Sequence, residues 1–295
     1  MTRLRFGLVG TGYWAREVHA AGLAAHPDLD LVGVWGRDLE GAKAVAGTHG
    51  AVGYDDLDAL LADVDAVAFA VPPAVQGELA LRAAEAGKHL FLEKPIALDL
   101  GVADQLADAV DAGGLSSVVF FTARFVPVWE EWLDQTVAWA PAGGRGDWLT
   151  SHAGPDNPYA GSQWRRENGA LWDVGPHMLA LLVPALGPVV GIAGARGEGD
   201  LVHLVLTHAG GATSRMSLTQ GMPAGTTRVT VEFYGEGGWW TQPDDDRDVA
   251  AAYGRALSEL LANIAAGEVR HRCDVRFGRD VVEVLTRCQA VLDGR

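Results

Sequence analysis

A glycine-rich turn near the start of the sequence limits what this chain can fold into more than any other feature. The apolar run Phe6 to Val9 leads directly into Gly-Thr-Gly-Tyr-Trp-Ala at positions 10–15, and a helical pattern follows. In such a strand–turn–helix unit Gly10 permits the tight turn, Gly12 lets a ligand approach the backbone, and Ala15 keeps the helix close to the strand. Free N–H groups and the dipole at the helix start favour a phosphate group there.

This turn predicts a dinucleotide site, and it begins a longer alternation of strands and helices. Strands and helices alternate over the first 122 residues, which is typical of an α/β fold with a Rossmann-type doubly wound parallel sheet. We therefore expect a dinucleotide-binding domain at residues 1–122, and an ordinary β-α turn of small residues is the alternative for the turn alone. The predicted cofactor contacts from the turn are Gly10, Thr11, Gly12, Tyr13 and Trp14.

Composition bounds the rest of the chain. Its 295 residues exceed the ~100–200 of a typical domain, which predicts a second domain at residues 123–295. Hydrophobic residues make up 48%, enough for a large core, and the formal net charge of −15 disfavours nucleic acid and anionic membranes as partners.

The sequence has no run of ~18 apolar residues, so we expect no membrane span, and the N-terminal apolar run is too short for a signal peptide. We expect a cytoplasmic protein whose two cysteines, Cys273 and Cys288 on one C-terminal helix, stay reduced.

The end of the second predicted strand bears on the cofactor. In NAD-specific folds of this type an acidic side chain there binds the ribose 2′-hydroxyl, but this sequence has Gly36 at that position. The next residue, Arg37, can pair with a 2′-phosphate and stack on adenine. The sequence therefore favours NADP over NAD and leaves NAD open, because Asp38 either neutralises Arg37 or caps the following helix.

A lysine follows the fourth predicted strand. Lys94 stands between Glu93 and Pro95 at a carboxyl end, which is where open α/β sheets bind ligands, and the preceding strand ends at Val71-Pro72. A cation there can hold an alkoxide or carbonyl oxygen, although a lysine after a strand is more often a solvated surface charge. We add Val71, Pro72, Glu93, Lys94, Gly36 and Arg37 to the predicted cofactor contacts.

The second half of the chain adds polar candidates. Residues 157–169 are interpreted as a polar, glycine-rich loop that contains Tyr159, Trp164 and Arg165, and such loops often contact ligands. Asp173 and His177 are four residues apart, which predicts that both lie on one face of a helix. An N-cap with a satisfied histidine is the alternative.

The remaining sequence predicts an α+β second domain with a mostly antiparallel open sheet. Short strands alternate with glycine turns from 189 to 241, and a strand at 147–152 comes before them. Helices at 250–266 and 281–292 follow, and they are able to pack back on the first domain. One sheet face should pack on helices, which leaves the other exposed or free for self-association. The acidic run 244–248 lacks the Gly and Glu of a calcium loop, so no metal site is expected.

The run Ala-Gly-Lys-His-Leu-Phe-Leu-Glu-Lys-Pro-Ile-Ala-Leu at 86–98, joined to the glycine turn, resembles the Gfo/Idh/MocA oxidoreductases, relatives of glucose–fructose oxidoreductase and inositol dehydrogenase. The similarity covers most of the chain. Two departures are visible: Pro73 and Gln76 replace a frequent Asn and His, and Glu167-Asn168-Gly169 replaces Gly-Gly-Gly.

The resemblance implies hydride transfer between a nicotinamide cofactor and a carbinol or carbonyl carbon of a sugar, cyclitol or similar polyol. Its implied catalytic residues are Lys94, Asp173 and His177, its implied substrate contacts are Lys94, Arg124, Tyr159, Trp164, Asp173 and His177, and Trp164 and Arg165 are placed near the cofactor. It also implies a homo-oligomer, a dimer or tetramer, formed through the C-terminal sheet. An NAD-dependent glycoside-cleaving enzyme of the same family and a non-catalytic dinucleotide-binding regulator are the alternatives.

Overall fold

The structure is a computed structural model that describes residues 3–151, 159, 161–244 and 248–294. The strands are β1 Leu4–Val9, β2 Leu29–Trp35, β3 Val52–Tyr54, β4 Ala66–Phe69, β5 His89–Leu92, β6 Ser117–Val119, β7 Gly143–Leu149, β8 Val189–Arg196, β9 Val202–His208, β10 Thr213–Thr219, β11 Arg228–Gly235 and β12 Gly238–Thr241. The α-helices are α1 Ala21–Ala25, α2 Leu39–Gly47, α3 Leu57–Asp63, α4 Pro73–Glu85, α5 Leu100–Ala112, α6 Pro127–Trp139, α7 Gln163–Asp173, α8 Gly175–Leu186, α9 Val249–Ala266 and α10 Val275–Leu292. A π-helical segment, Ala15–Ala20, precedes α1, and a 3₁₀ turn covers Thr122–Phe125.

The chain divides into two compact units, which are described separately below. The first consists of Met1–Phe125 and Arg247–Val282, and the second of Val126–Asp246 and Glu283–Arg295.

The sheet of the first unit is parallel throughout, with the strand order β3-β2-β1-β4-β5-β6. Strand β4 is buried along its whole length, as expected when helices cover both faces. The strand order reverses between β1 and β4, and ligands bind at such a reversal, outside the carboxyl ends of the strands. The predicted doubly wound α/β fold is confirmed, and the glycine turn after β1 lies at this reversal.

An aromatic cluster lies under that end of the sheet. The ring of Tyr253, from α9, lies 4.8 Å from the His19 ring, 4.9 Å from Phe91 and 5.3 Å from Phe120, measured between centroids. A Cβ on Gly22 would lie 2.3 Å from Cδ1 of Tyr253, so only glycine lets the first helix approach α9 this closely. Burial, with the charge of Glu93, raises the pKa of the Tyr253 hydroxyl well above its usual value.

The second sheet has the order β12-β11-β7-β10-β9-β8 and is antiparallel except where β7 pairs with β10. The predicted mostly antiparallel sheet is therefore confirmed. The predicted strand 147–152 starts too late, because Gly143 and Gly144 pair with Tyr234 and Phe233 instead of forming a turn. A Cβ on Gly143 would lie 2.7 Å from the Tyr234 ring, so these glycines belong in the strand to make room for aromatic rings of β11.

Part of the predicted polar loop at 157–169 is helical, which corrects that interpretation. Residues 157, 158 and 160 lie outside the described residues, but α7 starts at Gln163. Side chains four residues apart support the helix: Gln163 Nε2 donates to Glu167 Oε1 over 2.6 Å, and Asn168 Nδ2 donates to the carbonyl of Trp164 over 2.8 Å. Inside α7, Gly169 has φ 65°, a left-handed value that glycine adopts without strain.

One stretch of the described residues, Gln163–Leu186, is long and apolar enough to cross a membrane by length and composition, although the sequence predicts no membrane span. It comprises α7 and α8, and 72% of its most apolar window is buried inside the protein. Met178 on α8 packs against Gly146 of β7, where a Cβ would lie 2.6 Å from its sulfur. The stretch is thus a pair of core helices of the second unit.

The C-terminal helix begins before the predicted residue 281. The Asp274 carboxylate accepts the N–H of Phe277 over 3.0 Å and caps α10, which then starts at Val275. Cys273 therefore lies ahead of the helix, and the prediction that it shares a helix with Cys288 is wrong. Both thiols are buried and unbridged, and burial raises the pKa of Cys288 to about 12.

Further along α10, an arginine covers the edge of the second sheet. The guanidinium of Arg287 donates to the carbonyls of Val189 and Val190 over 2.8 and 3.0 Å. These residues start β8, which is an outer strand of the sheet.

Candidate functional site

The two glycines of the turn after β1 have different surroundings. Gly10 has φ 135°, and a Cβ there would lie 2.5 Å from the carbonyl oxygen of Ala70 and 3.3 Å from Cγ1 of Val71. Gly12 faces open space: apart from its chain neighbours, no atom of the described residues lies within 4 Å of an added Cβ. Gly10 is therefore required by the fold, whereas the absence of a side chain at Gly12 leaves room for a pyrophosphate.

Gly36, the residue after β2, has no space for a side chain. A Cβ on Gly36 would lie 2.7 Å from Cγ2 of Thr11, so an acidic side chain does not fit beside the turn as it stands. Asp38 caps α2, since its carboxylate accepts the N–H groups of Glu40 and Gly41 over 3.3 and 3.2 Å. Within the described residues, Arg37 is exposed and has no hydrogen bond or ion pair, so Asp38 does not neutralise it.

The buried side chain of Gln76 forms hydrogen bonds with the backbone of the loop Glu93–Lys94–Pro95. Gln76 on α4 donates from Nε2 to the carbonyls of Glu93, Pro95 and Ile96 over 2.6, 3.2 and 3.3 Å, and its Oε1 accepts the N–H of Glu93 over 2.9 Å. Gln76 is one of the two departures from the family pattern, and here it fixes the backbone on both sides of Lys94. The peptide bond between Lys94 and Pro95 is cis.

The Glu93 carboxylate ties this loop to the glycine turn. Its Oε1 accepts the indole N–H of Trp14 over 2.6 Å and lies 3.1 Å from Nε2 of His19, while Oε2 accepts the backbone N–H of Lys94 over 3.2 Å. The turn after β1 and the lysine after β5 are therefore one connected assembly. Tyr13, beside Trp14, is 43% exposed.

Two other predicted residues of the first unit differ in exposure: Pro72 is exposed, whereas Arg124 is buried. Pro72 lies ahead of α4 as its N-cap residue. Arg124 lies in the 3₁₀ turn with its side chain buried, and its carbonyl accepts a hydrogen bond from Arg272 over 2.9 Å.

In the second unit, Asp173 is fixed by two donors. Its Oδ2 accepts the Nε–H of Arg165 over 3.0 Å and the Nε2–H of Gln220 over 2.6 Å. The Arg165 guanidinium also lies over the rings of Tyr159 and Trp164, 4.4 and 4.7 Å from their centroids. The structure thus brings together four predicted residues, with Arg165 at the centre and its charge engaged by Asp173.

His177 lies in the first turn of α8, where Pro176 is tolerated because the first helical N–H groups need no partner. Its ring stacks on Trp148 of β7 at 5.1 Å between centroids and 17° between planes. Asp173 ends α7, and Val174 between it and α8 keeps right-handed helical backbone angles (φ −108°, ψ −19°). The N–H of Val174 donates to the carbonyl of Ala170 over 2.9 Å, and its carbonyl accepts the N–H of Met178 over 3.4 Å. That Asp173 and His177 share one helical face stays a prediction.

The candidate residues thus form two groups, and each group lies within one unit. Lys94 and the glycine turn are in the first, and Asp173 and His177 are in the second. Sequence reasoning did not single out the supporting residues His19, Trp148 and Gln220, although His19 falls on the predicted helix one turn after Ala15. In the part of the chain that the structure describes, no three His, Cys, Asp or Glu side chains form a group able to hold a metal ion.

Comparisons with known proteins bear on this arrangement. Residues 4–121 match a family model described as the GFO_IDH_MocA oxidoreductase family with an NAD-binding Rossmann fold. An uncharacterized oxidoreductase of Synechocystis is 33% identical over 200 residues, covering 64% of this chain and 53% of that protein. The inositol 2-dehydrogenase of Rhizobium meliloti is 36% identical over 125 residues, covering 42% and 38%. The matched stretches span about half the length of the first curated relatives.

Solved structures agree over the whole fold. GenD2 from gentamicin A biosynthesis, solved in complex with NAD, has a TM-score of 0.85 at 24% identity and covers 100% of this chain and 96% of that one. UDP-N-acetylglucosamine 3-dehydrogenase from Acidithiobacillus ferrooxidans has a TM-score of 0.84 at 22% identity, with coverages of 100% and 99%. The family model confirms the resemblance seen in the glycine turn and the Glu-Lys-Pro run: residues 4–121 match the NAD-binding Rossmann fold of the Gfo/Idh/MocA oxidoreductase family.

Proposed function

We propose that this protein is an NADP-dependent oxidoreductase that moves a hydride between the nicotinamide and a carbinol or carbonyl carbon of a sugar, cyclitol or related polyol. The observation that carries the proposal is that Gly12, with open space beside it, and the Lys94 backbone, held by Glu93, lie at the same edge of the sheet and are linked through Trp14. Relatives named as dehydrogenases of inositol and of glucose 6-phosphate support the substrate class.

The proposed chemistry divides among three residues. A bound nicotinamide supplies or accepts the hydride. His177 exchanges the hydroxyl proton, because an unperturbed imidazole titrates near ~6.5 and its ring is held in place by Trp148. Lys94 stabilises the negative charge that develops on the substrate oxygen. Asp173 acts as a fixed anion that orients the substrate or His177, since Arg165 and Gln220 both donate to it.

The preference for NADP is supported by the end of β2. An acid that would bind the ribose 2′-hydroxyl is absent at Gly36, and Thr11 fills the space it would need. Arg37 is exposed beside this gap, and a guanidinium there suits a 2′-phosphate. NAD remains the alternative, and GenD2 is a relative solved with NAD.

A substrate panel tests the proposal. Sugars, cyclitols and sugar nucleotides are offered with NADP+ and with NAD+, and formation of reduced nicotinamide is followed by absorbance. Turnover of the cofactor with a polyol supports the proposal. Sugar release without net cofactor turnover would instead identify a glycoside-cleaving enzyme, and cofactor binding with no turnover of any kind would identify a regulator.

Assembly and location are proposed on separate grounds. Along β9, His203, Val205 and Thr207 face outward while their neighbours are buried, and Val190 and Val205 are 58% and 51% exposed. We propose that a second copy of the chain covers this face, giving a dimer or tetramer, which sedimentation velocity would detect. The proposed location is the cytoplasm, where free buried thiols such as Cys273 and Cys288 stay reduced.

A further inference from the structure

The carboxylate of Glu93 has an unusual set of partners. Its three hydrogen-bond contacts are the indole of Trp14, the ring of His19 and the backbone N–H of Lys94. A carboxylate accepts only, so Nε2 of His19 carries the donated proton. Nδ1 of His19 is buried and has no partner among the described residues.

Two of the donors to the Glu93 carboxylate, the indole of Trp14 and the backbone N–H of Lys94, are neutral groups. In the part of the chain that the structure describes, no lysine or arginine nitrogen lies within 4.0 Å of its carboxylate oxygens. The side chain is only 13% exposed, so water screens the charge weakly. Such a charge is felt over several ångströms, because the effective dielectric constant near a partly buried group is about 20.

We propose that Glu93 makes this site favour the oxidised nicotinamide cofactor over the reduced one. The inference rests on the proposed function. The oxidised ring carries a positive charge and the reduced ring is neutral, so a fixed anion lowers the free energy of the oxidised complex relative to the reduced complex. Glu93 is suited to this because it follows β5 at the ligand-binding edge and is bonded to the glycine turn through Trp14. Lys94, the next residue, acts with the opposite sign.

The experiment measures dissociation constants for NADP+ and NADPH by isothermal titration calorimetry, and for NAD+ and NADH if the protein prefers them. In Glu93→Gln, the ratio of the oxidised to the reduced dissociation constant should rise by roughly three- to tenfold over the wild type. In Lys94→Gln the same ratio should fall, because the anion of Glu93 is then unopposed.

Trp14→Phe is the matched control for geometry. It removes one hydrogen bond to Glu93 without changing any charge, so both constants should rise together and their ratio should stay within twofold. A ratio that does not change in Glu93→Gln, or in Lys94→Gln should the first variant not fold, overturns the inference while leaving the proposed function intact. A wild-type protein that binds neither form of either cofactor overturns the proposed function and this inference with it.

Discussion

The Nε atom of Arg165 lies 3.0 Å from Oδ2 of Asp173. This contact engages an arginine that the family resemblance places near the cofactor, and we expect Arg165 to position a proposed active-site carboxylate. A hydrogen bond to a charged group is worth about 1.5–3 kcal/mol. Arg165→Met should therefore lower kcat by about 10- to 150-fold and leave the dissociation constant of the cofactor within a few fold. Arg166→Met is the control, and a weakened cofactor complex with unchanged kcat would contradict the assignment.

The glycine turn yields a prediction with two opposite outcomes. In Gly10→Ala the new Cβ meets the carbonyl oxygen of Ala70 at a positive φ, so the free energy of unfolding should fall by about 2–4 kcal/mol. In Gly12→Ala the Cβ meets none of the described residues beyond its chain neighbours, so stability should be unchanged while cofactor affinity falls at least tenfold. Urea denaturation and calorimetric titration separate the two effects. Equal cofactor affinity in wild type and Gly12→Ala would exclude this turn as the phosphate site.

Cofactor preference should depend on Thr11 and position 36 together. Gly36→Asp alone should weaken both NADP+ and NAD+, because its Cβ meets Cγ2 of Thr11. Combining it with Thr11→Ser, which removes that methyl group, should restore NAD+ binding and leave NADP+ weak, since the new carboxylate repels a 2′-phosphate. The single Thr11→Ser variant is the control. Independent, additive effects of the two substitutions on affinity would show that the residues are not coupled.

Lys94 gives the direct test of the proposed chemistry. Lys94→Met keeps the length of the side chain and removes its charge, so turnover should fall by at least a hundredfold while NADP+ still binds. Lys88→Met is a matched control, because the Lys88 ammonium donates to the carbonyl of Val64 over 2.9 Å. Unchanged kcat in Lys94→Met would remove this residue from the mechanism.

The stability of the first unit should depend on pH through Glu259. Burial opposes ionisation of this carboxyl, but hydrogen bonds from His271 and Arg272 outweigh it and lower the pKa to about 2. A folded-state pKa below the unfolded value adds stability above the unfolded pKa, and the contribution disappears as pH falls from about 4.5 to 2. Glu259→Gln should therefore cost about 2 kcal/mol in urea denaturation at pH 7 and roughly half as much at pH 3.

The exposed Glu85 offers a control for this pH series, because Glu85→Gln should leave the unfolding curve unchanged at both pH values. A Glu259→Gln variant that loses equal stability at pH 7 and pH 3 would assign the effect to packing instead of to the ionised carboxylate.

The fold class could be predicted because its signals are local. Gly10 and Gly12 stand between a mostly apolar strand and a helix, and β4 is a continuous apolar run. The start of α7 was not predicted, because its polar residues are typical of a loop. The helix is stabilised there by side-chain pairs such as Gln163 and Glu167. The kink inside α7 at Gly169 also has no sequence signal beyond the glycine itself.

The partners of the candidate site could not be predicted, because they lie far away in the sequence. Gln76 reaches Glu93 across 17 positions, and Gln220 reaches Asp173 across 47. Neither glutamine belongs to a spacing pattern that indicates a site, and each acquires its role only when strands and helices bring it close. The sequence identified Gln76 as a departure from the family pattern, and the hydrogen bonds explain what the substituted side chain does.

Arg287 has a consequence for how molecules of this protein meet one another. A carbonyl that already accepts a guanidinium proton is not free to recruit a strand from a neighbouring chain, and Arg287 occupies two such carbonyls at the beginning of β8. Edge-to-edge pairing of sheets from successive molecules is therefore disfavoured at β8. Contacts between copies of the chain then depend on side chains and not on backbone hydrogen bonds.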